Sequence, residues 1–542
     1  MVKVERISGN IVDLIKDRIY PGTLVIKGGS IVDIIEEEHE YGNYLIPGLV
    51  DAHIHIESSM LVPAEFAGMA VVHGTVAVVS DPHEIANVLG IKGIRYMINN
   101  GIKVPFKFYF GAPACVPATE FETAGAELNA ARIEALFKRD GLRFLCEVMN
   151  YPDVLKGDPG VMAKIEMAQK YHKPIDGHAP GLSGQDLKTY LQTGIGTDHE
   201  AFQFEEGLEK IEAGMRILIR EGTAAKNFNQ LQALIPRYPD HCMFCCDDKH
   251  PDDLLKGHIN DLVKKALRNG YDKMQVLKCA TLNPVQHYGL EVGLLQKGDP
   301  ADVVVIDDFE RFRILETYIN GVMVAKDGEH FIPKVKSHII NNFKVKPKRP
   351  VDFRIKADQT EIDVIEVIDG ELVTGWLKTE PKVEEGYIIS DPERDLLKIT
   401  VVNRYREVSP AVGFIKNFGL QKGAIASSVA HDSHNIVAVG VSDEDLARAV
   451  NLIIRHKGGL GVVGDGREEI LPLPVAGLMS TEDGYKVAKD YQRIAARAKE
   501  LGSKLKDPFM TMSFMTLLVI PELKISDRGL FDGKNFRPII KY

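Results

Sequence analysis

The chain has 542 residues, more than one hydrophobic core holds, so several domains are expected. Apolar residues make up 45% and charged residues 26%, as in ordinary soluble globular proteins, and 76 acidic against 66 basic residues argue against nucleic-acid backbone binding as the main task. The sequence predicts neither a signal segment nor a membrane span, and six cysteines are too few for a disulfide framework, so a reducing cytoplasm is expected.

Residues 1–46 carry short β-type runs: Ile11-Val12-Asp13-Leu14, Thr23-Leu24-Val25-Ile26-Lys27 and Ser30-Ile31-Val32-Asp33-Ile34-Ile35. The same texture returns in 288–345, at Gly293-Leu294-Leu295, Asp302 to Ile306 and Tyr318 to Ala325. Both stretches are expected to form one small β-sheet (sandwich) domain interrupted by a long insertion, 47–287. Within the insertion, candidate strands near 51–56, 75–80, 107–110, 143–147, 174–178, 195–199, 215–219 and 243–247 alternate with helical patterns such as Ala126 to Phe137. Eight strands with intervening helices match a (β/α)8 TIM-like barrel, whose chemistry sits at the C-terminal strand ends. A doubly wound open sheet is the alternative; the missing Gly-rich loop after the first strand counts against it. Lys344 to Pro350, basic with two prolines, is expected to be a solvated linker. The last region, 346–542, reads as a C-terminal α/β domain with strands Leu397 to Val402 and Ile436 to Gly440 and a helix from Asp443 to Ile454.

The end of the first barrel strand reads His53-Ile54-His55. Alternate strand residues share a face, so both imidazoles can aim at one point. Alone this is a weak metal signal. Further ligand-type residues close later strands: Glu147 the fourth, His178 the fifth, His199 the sixth, and Asp247 followed by Asp248 the eighth. Four imidazoles and two carboxylates suit two divalent ions with a carboxylate bridge. Cys242-Met243-Phe244-Cys245 has C-x-x-C spacing, but it reads as a buried strand, where residues three apart face opposite sides; packed thiols are the simpler account. His73, His172 and His258 are taken as surface or satisfied core residues.

The run Ile46 to His55 and the return from Asn283-Pro284 to Gly298-Asp299-Pro300-Ala301-Asp302-Val303 resemble the amidohydrolase (metallo-dependent hydrolase) superfamily. His55-Ile56-Glu57-Ser58-Ser59-Met60, Asp81-Pro82-His83-Glu84-Ile85-Ala86-Asn87, Cys246-Asp247-Asp248 and Val429-Ala430-His431-Asp432-Ser433-His434-Asn435 resemble its adenine deaminase branch, and the resemblance spans nearly the whole chain. Many relatives place a carboxylated lysine where Glu147 stands; a permanent carboxylate there weakens a cyclic-amide hydrolase reading.

The resemblance implies hydrolytic deamination of adenine to hypoxanthine and ammonia, in purine salvage, by a hydroxide held between two metal ions. Manganese is expected, with iron and zinc as alternatives. His53, His55, Glu147, His178, His199 and Asp247 would hold metal. Asp247 would also take and pass the proton, His199 would polarise the reacting centre, and Glu84 or Glu57 would donate to the ring. Asp81, His83, Asp248 and His431 complete the expected substrate contacts, with the His431 loop as a lid. Asp81-Pro82 with Glu84 also fits a plain helix start. A homodimer acting on a small molecule, with no nucleic-acid or membrane partner, is expected. The rivals are a hydrolase of a cyclic amide or another aminated heterocycle, and a binding protein without chemistry.

Overall fold

The computed structural model describes residues 3–539. They divide into two compact units. The first takes the described residues within Met1–Pro82, Arg95–Ala114 and Asn129–Ser337; the second takes His83–Ile94, Cys115–Leu128 and those within His338–Tyr542.

The first unit opens with β1 (Arg6–Asp13), β2 (Arg18–Lys27), β3 (Ser30–Glu36) and β4 (Tyr44–Pro47). Eight further strands follow: β5 (Leu49–Ile54), β6 (Thr75–Ser80), β7 (Lys107–Phe110), β8 (Leu145–Val148), β9 (Ile175–Gly177), β10 (Thr197–Asp198), β11 (Arg216–Arg220) and β12 (Cys242–Cys245). β13 (Val303–Ile306), β14 (Ile314–Ile319), β15 (Val322–Lys326) and β16 (Glu329–His330) complete it. The outer strands join into one eight-stranded sheet, ordered β16-β15-β14-β13-β4-β1-β2-β3. β4 bridges its halves, parallel to β1 and antiparallel to β13 through Leu45↔Val305 and Ile46↔Val304. Ile11, Leu24, Leu45, Val303 and Tyr318 form its core.

β5 to β12 are parallel and closely bonded to one another. β5-β6-β7, β8-β9 and β10-β11-β12 pair directly. The Ala112↔Leu145 bridge links β7 to β8, and Gly196 N donates to Ile175 O (3.0 Å) between β9 and β10. The ring closes where Asp247 N donates to His53 O (2.9 Å) and His55 N to Asp247 O (3.2 Å). β5, β6, β8 and β12 are buried throughout, which is why they read as apolar runs without alternation. Buried Asp51 staples the closure: its Oδ1 accepts from Cys246 N (3.1 Å) and His53 N (3.2 Å), while Oδ2 lies 2.9 Å from His258 Nε2. His258 in turn meets the Thr75 hydroxyl through Nδ1 (2.7 Å).

In the second unit, eight strands form a sheet ordered Thr374–Thr379, Ile362–Val367, Ala411–Lys416, Leu396–Val402, Ile436–Gly440, Ala424–Ser427, Gly459–Gly464 and Arg467–Pro472. The helix Asp443–His456 covers it with Leu446, Ala449, Val450 and Ile453, its N-terminus capped where Ser442 accepts from Asp445 N.

Three local expectations are corrected. Gly293 to Leu295 forms no strand, because Asp299 draws the amides of Leu294 (2.7 Å) and Gln296 (3.1 Å) into a turn. The helix expected from Ala126 begins at Ala130, where Asn129 caps it by accepting from Arg132 N. The basic segment at 344–350 is anchored: Lys348 is buried, its ammonium on Glu407 and its backbone on Asn451.

Candidate metal centre

The six expected metal ligands meet in the first unit, all buried. β5 presents His53 and, just past its end, His55; β8 presents Glu147; His178 and His199 follow directly on β9 and β10, and Asp247 lies two residues past β12. Asp247 takes a left-handed conformation (φ 56°), which lets its backbone close the ring while its side chain turns to the imidazoles. Glu147 stands centrally. Its Oε1 lies 3.2 Å from His55 Nε2 and 3.9 Å from His53 Nε2; its Oε2 lies 2.7 Å from His178 Nδ1 and 3.3 Å from His199 Nε2. One oxygen therefore faces each imidazole pair. Asp247 Oδ1 closes the first pair, 3.0 Å from His55 Nε2 and 3.4 Å from His53 Nε2.

The orientation of His55 is fixed from behind. Its Nδ1 contacts Asp81 O at 3.1 Å, so Nε2 is turned to the carboxylates. His53 Nε2 and His178 Nε2 are buried without any hydrogen bond. Buried polar atoms normally have partners. Two orphaned imidazole nitrogens among converging carboxylates are what a divalent cation would satisfy, so the residues fit a metal centre. His53, His55 and Asp247 make one compact group, His178, His199 and Glu200 another, and Glu147 is grouped with His53 and His199.

The imidazoles divide electrostatically: against the effect of burial, neighbouring carboxylates raise His55 and His178, whereas His53 is lowered. Burial pushes the His53 pKa down, and the neighbouring His199 charge adds to it, which favours the neutral imidazole a metal needs. His199 is pulled up to about 9: burial alone would lower it, but the Glu147 charge and hydrogen bond outweigh that. Burial would raise Glu147 and Asp247. Instead Glu147 is held well below the usual carboxylate range by His199, His178 and His55, and Asp247 by Arg220, His53 and His55.

Arg220 and Glu200 join the centre beyond the residues expected from the sequence. Arg220, at the end of β11, donates to Asp247 Oδ2 and Glu200 Oε1 from deep burial. Glu200 lies 3.6 Å from His199 and 3.8 Å from His178. Both stand at or just past strand ends, so the position rule behind the other ligands also points to them; a cation is not a metal ligand, and Glu200 directly follows His199, which is why sequence alone gives them no role.

Among the expected substrate contacts, Asp81 gives its carbonyl to His55, and Asp248 accepts from the Ser58 hydroxyl at 2.5 Å. Glu57 is buried in the short 3₁₀ turn Ile56–Ser59. His83, Glu84 and His431 belong to the second unit, where they gather with Asp432 and His434. His431 Nδ1 lies 3.3 Å from Glu84 Oε1, His83 Nε2 3.7 Å from Asp432 Oδ1, and the His431 ring stacks on Phe514 at 4.6 Å. Burial would raise Asp432, but the charge of His83 and bonds from His431 and His83 hold it low. Glu122, nearby, is pushed up to about 8 by burial and the Asp432 charge. The cysteines of the C-x-x-C stretch are all buried on β12.

A model of the amidohydrolase family matches residues 44–324, and a model of the adenine deaminase C-terminal domain matches 371–537. A protein of Salinibacter ruber named adenine deaminase is 52% identical over 99% of this chain and 98% of its own length. Adenine deaminases of a Sulfurovum species and of Methanosarcina mazei are 53% and 50% identical, each over 98% of both chains. The chain belongs to the adenine deaminase family. That family sits within the metal-dependent amidohydrolases, in keeping with the donor groups described above. Among the described residues, no helix is long and apolar enough to cross a membrane.

Proposed function

We propose that this chain hydrolyses adenine to hypoxanthine and ammonia at the Glu147 centre. The substrate rests on full-length relatives that carry the name adenine deaminase. The observation that carries the hydrolase is Glu147 itself, a permanent carboxylate with one oxygen turned to each imidazole pair. We further read the ring β5 to β12 as a (β/α)8 barrel, 47–287, inserted between 1–46 and 288–345, with 346–542 as the C-terminal domain.

His53, His55 and Asp247 would hold one divalent ion, His178 and His199 the other, and Glu147 both. When bound, such ions supply a water acid enough to attack at neutral pH. Imidazole and carboxylate donors without thiolate suit manganese, iron or zinc, and the family resemblance puts manganese first. Asp247 accepts the proton of the attacking water as the C6–O bond forms, then returns it to the amino nitrogen as the C6–N bond breaks and ammonia leaves. Arg220 keeps Asp247 ionised for the first of these transfers. His199 is proposed as a neutral metal ligand, with polarising the reacting carbon as its alternative role. Glu84, with Glu57 as the alternative, is proposed to protonate the ring nitrogen, and Asp81, His83, Asp248 and His431 to contact the base. Purine salvage in the cytoplasm by a homodimer belongs to the same reading.

The test is ammonia release from adenine by manganese-loaded protein beside Glu147→Gln, with dihydroorotate and hydantoin as further substrates. Turnover of adenine that vanishes in the variant supports the proposal. A fully metallated protein that opens a cyclic amide and leaves adenine untouched refutes the substrate.

A further inference from the structure

A cavity of about 220 Å³ in the first unit is lined by Lys226, Lys249, Lys256, Lys264, Lys265 and Arg268, against only Glu221, Asp253 and Asp261. Two of the three acids are already engaged. Glu221 pairs with Lys265 (2.5 Å), and Asp253 pairs with Lys256 (2.7 Å) and accepts from Thr223 (3.0 Å). Among the described residues, Lys226, Lys249, Lys264 and Arg268 form no ion pair, so Asp261 alone stands against four cations. Lys249 is the telling member: only 6% of it is exposed, yet among the described residues it forms no ion pair. Burying an unpaired ammonium is costly, and crowding further cations around it adds repulsion. A concave wall of one sign concentrates anions of the other.

We propose that this cavity binds a small phosphate-bearing anion. A carboxylate would neutralise one cation and leave the others in mutual repulsion, whereas a phosphate dianion meets several, and lysine ammoniums suit it as point charges. The cavity is separate from the metal centre but built on its supports. Glu221 follows Arg220 in sequence, and Lys249 follows Asp247 and Asp248. The two segments are tied together: Thr223 N donates to Asp248 O (2.7 Å) and His250 N to Thr223 Oγ1 (2.9 Å). An anion drawing on Lys249 therefore bears on the loop that carries Asp247.

The proposal concerns binding alone and stands whether or not adenine is the substrate. Titration calorimetry of the full, metal-loaded chain tests it, with inorganic phosphate and ribose 5-phosphate as probes and acetate as the monoanion. Saturable binding of either phosphate is expected, at least about ten-fold weaker in Lys249→Met and in Lys264→Met and unchanged in the control Lys486→Met/Lys489→Met, whose lysines sit on another unit's helix. Stronger binding of the ester identifies a phosphorylated metabolite; equal binding identifies free phosphate. Because Lys264 is only partly buried, its variant keeps the test open if Lys249→Met fails to fold. Phosphate affinity that persists in both variants lies at the metals and overturns the proposal, as does acetate binding as tightly as phosphate.

Discussion

The first unit buries four imidazoles around Glu147 and Asp247, and the second buries His83, His431 and His434 around Glu84 and Asp432. The ingredients match; the arrangement does not. In the first cluster donor atoms converge, carboxylates stay ionised, and the Nε2 atoms of His53 and His178 have no hydrogen bond. That set needs a cation from outside. In the second, the His434 Nδ1 accepts from Ala430 N (3.2 Å) and the His431 ring is stacked on Phe514, although His434 Nε2 and Asp432 Oδ2 also lack a hydrogen bond. There, burial holds Glu122 protonated to about 8, while His83 and His431 keep Asp432 ionised. Two carboxyl groups pushed apart in pKa give the second cluster one protonated and one ionised acid at neutral pH.

The largest expected effect comes from neutralising the carboxylate between the imidazole pairs. Glu147→Gln should lose at least one of two bound ions by elemental analysis, and activity on adenine should fall on the order of 10³-fold. The same change in the second unit sharpens the contrast. Glu84→Gln should keep its full metal content while kcat/KM for adenine falls on the order of 10²-fold. Metal loss in Glu84→Gln would mean that both clusters hold metal and that the distinction drawn above is wrong.

Arg220 tests how far the first cluster depends on its own cation. Arg220→Met leaves Asp247 and Glu200 buried without their shared guanidinium. Breaking such a pair costs about 3–5 kcal/mol, and a lost supporting contact weakens metal binding on the order of 10-fold. Urea unfolding of the metal-free chain and chelator competition measure the two separately. Metal should recover part of the lost stability, because it takes over the neutralisation of Asp247. A variant whose metal affinity is unchanged would show that Arg220 serves folding alone.

The strand ends were legible because a parallel strand buried on both faces is a nearly bare apolar run, and His53, Glu147 and Asp247 each interrupt or follow one, whereas His178 and His199 close the short strands Ile175–Gly177 and Thr197–Asp198. What the chain hid were partners that need three dimensions. Arg220 looks like the charged end of a strand until Asp247, 27 residues later, is brought to it. Lys348 looks solvated in a Pro-rich run until Glu407 covers it, 59 residues away. Gly293 to Leu295 has strand composition, but a single Asp299 carboxylate captures its amides, a local competition that composition does not register. Likewise Asn129 moved a helix start by offering a cap inside an apolar pattern.

Glu122 provides the smallest and most discriminating test, because the second cluster's character rests on its proton. Its folded pKa of about 8 lies above the ordinary 4.5, so between those values the folded chain binds a proton that the unfolded chain releases. The stability this group contributes is complete below about pH 4.5 and is lost as pH rises through about 8. Glu122→Gln cannot release that proton, so its urea midpoint should fall less than that of the parent chain between about pH 5 and about pH 9. At neutral pH the amide replaces a carboxyl that is already uncharged, and adenine turnover should stay within about two-fold, since general acid–base steps lose 10²-fold or more when the acting group is removed. A loss of that larger size, with metal content intact, would show that Glu122 moves a proton in the reaction itself.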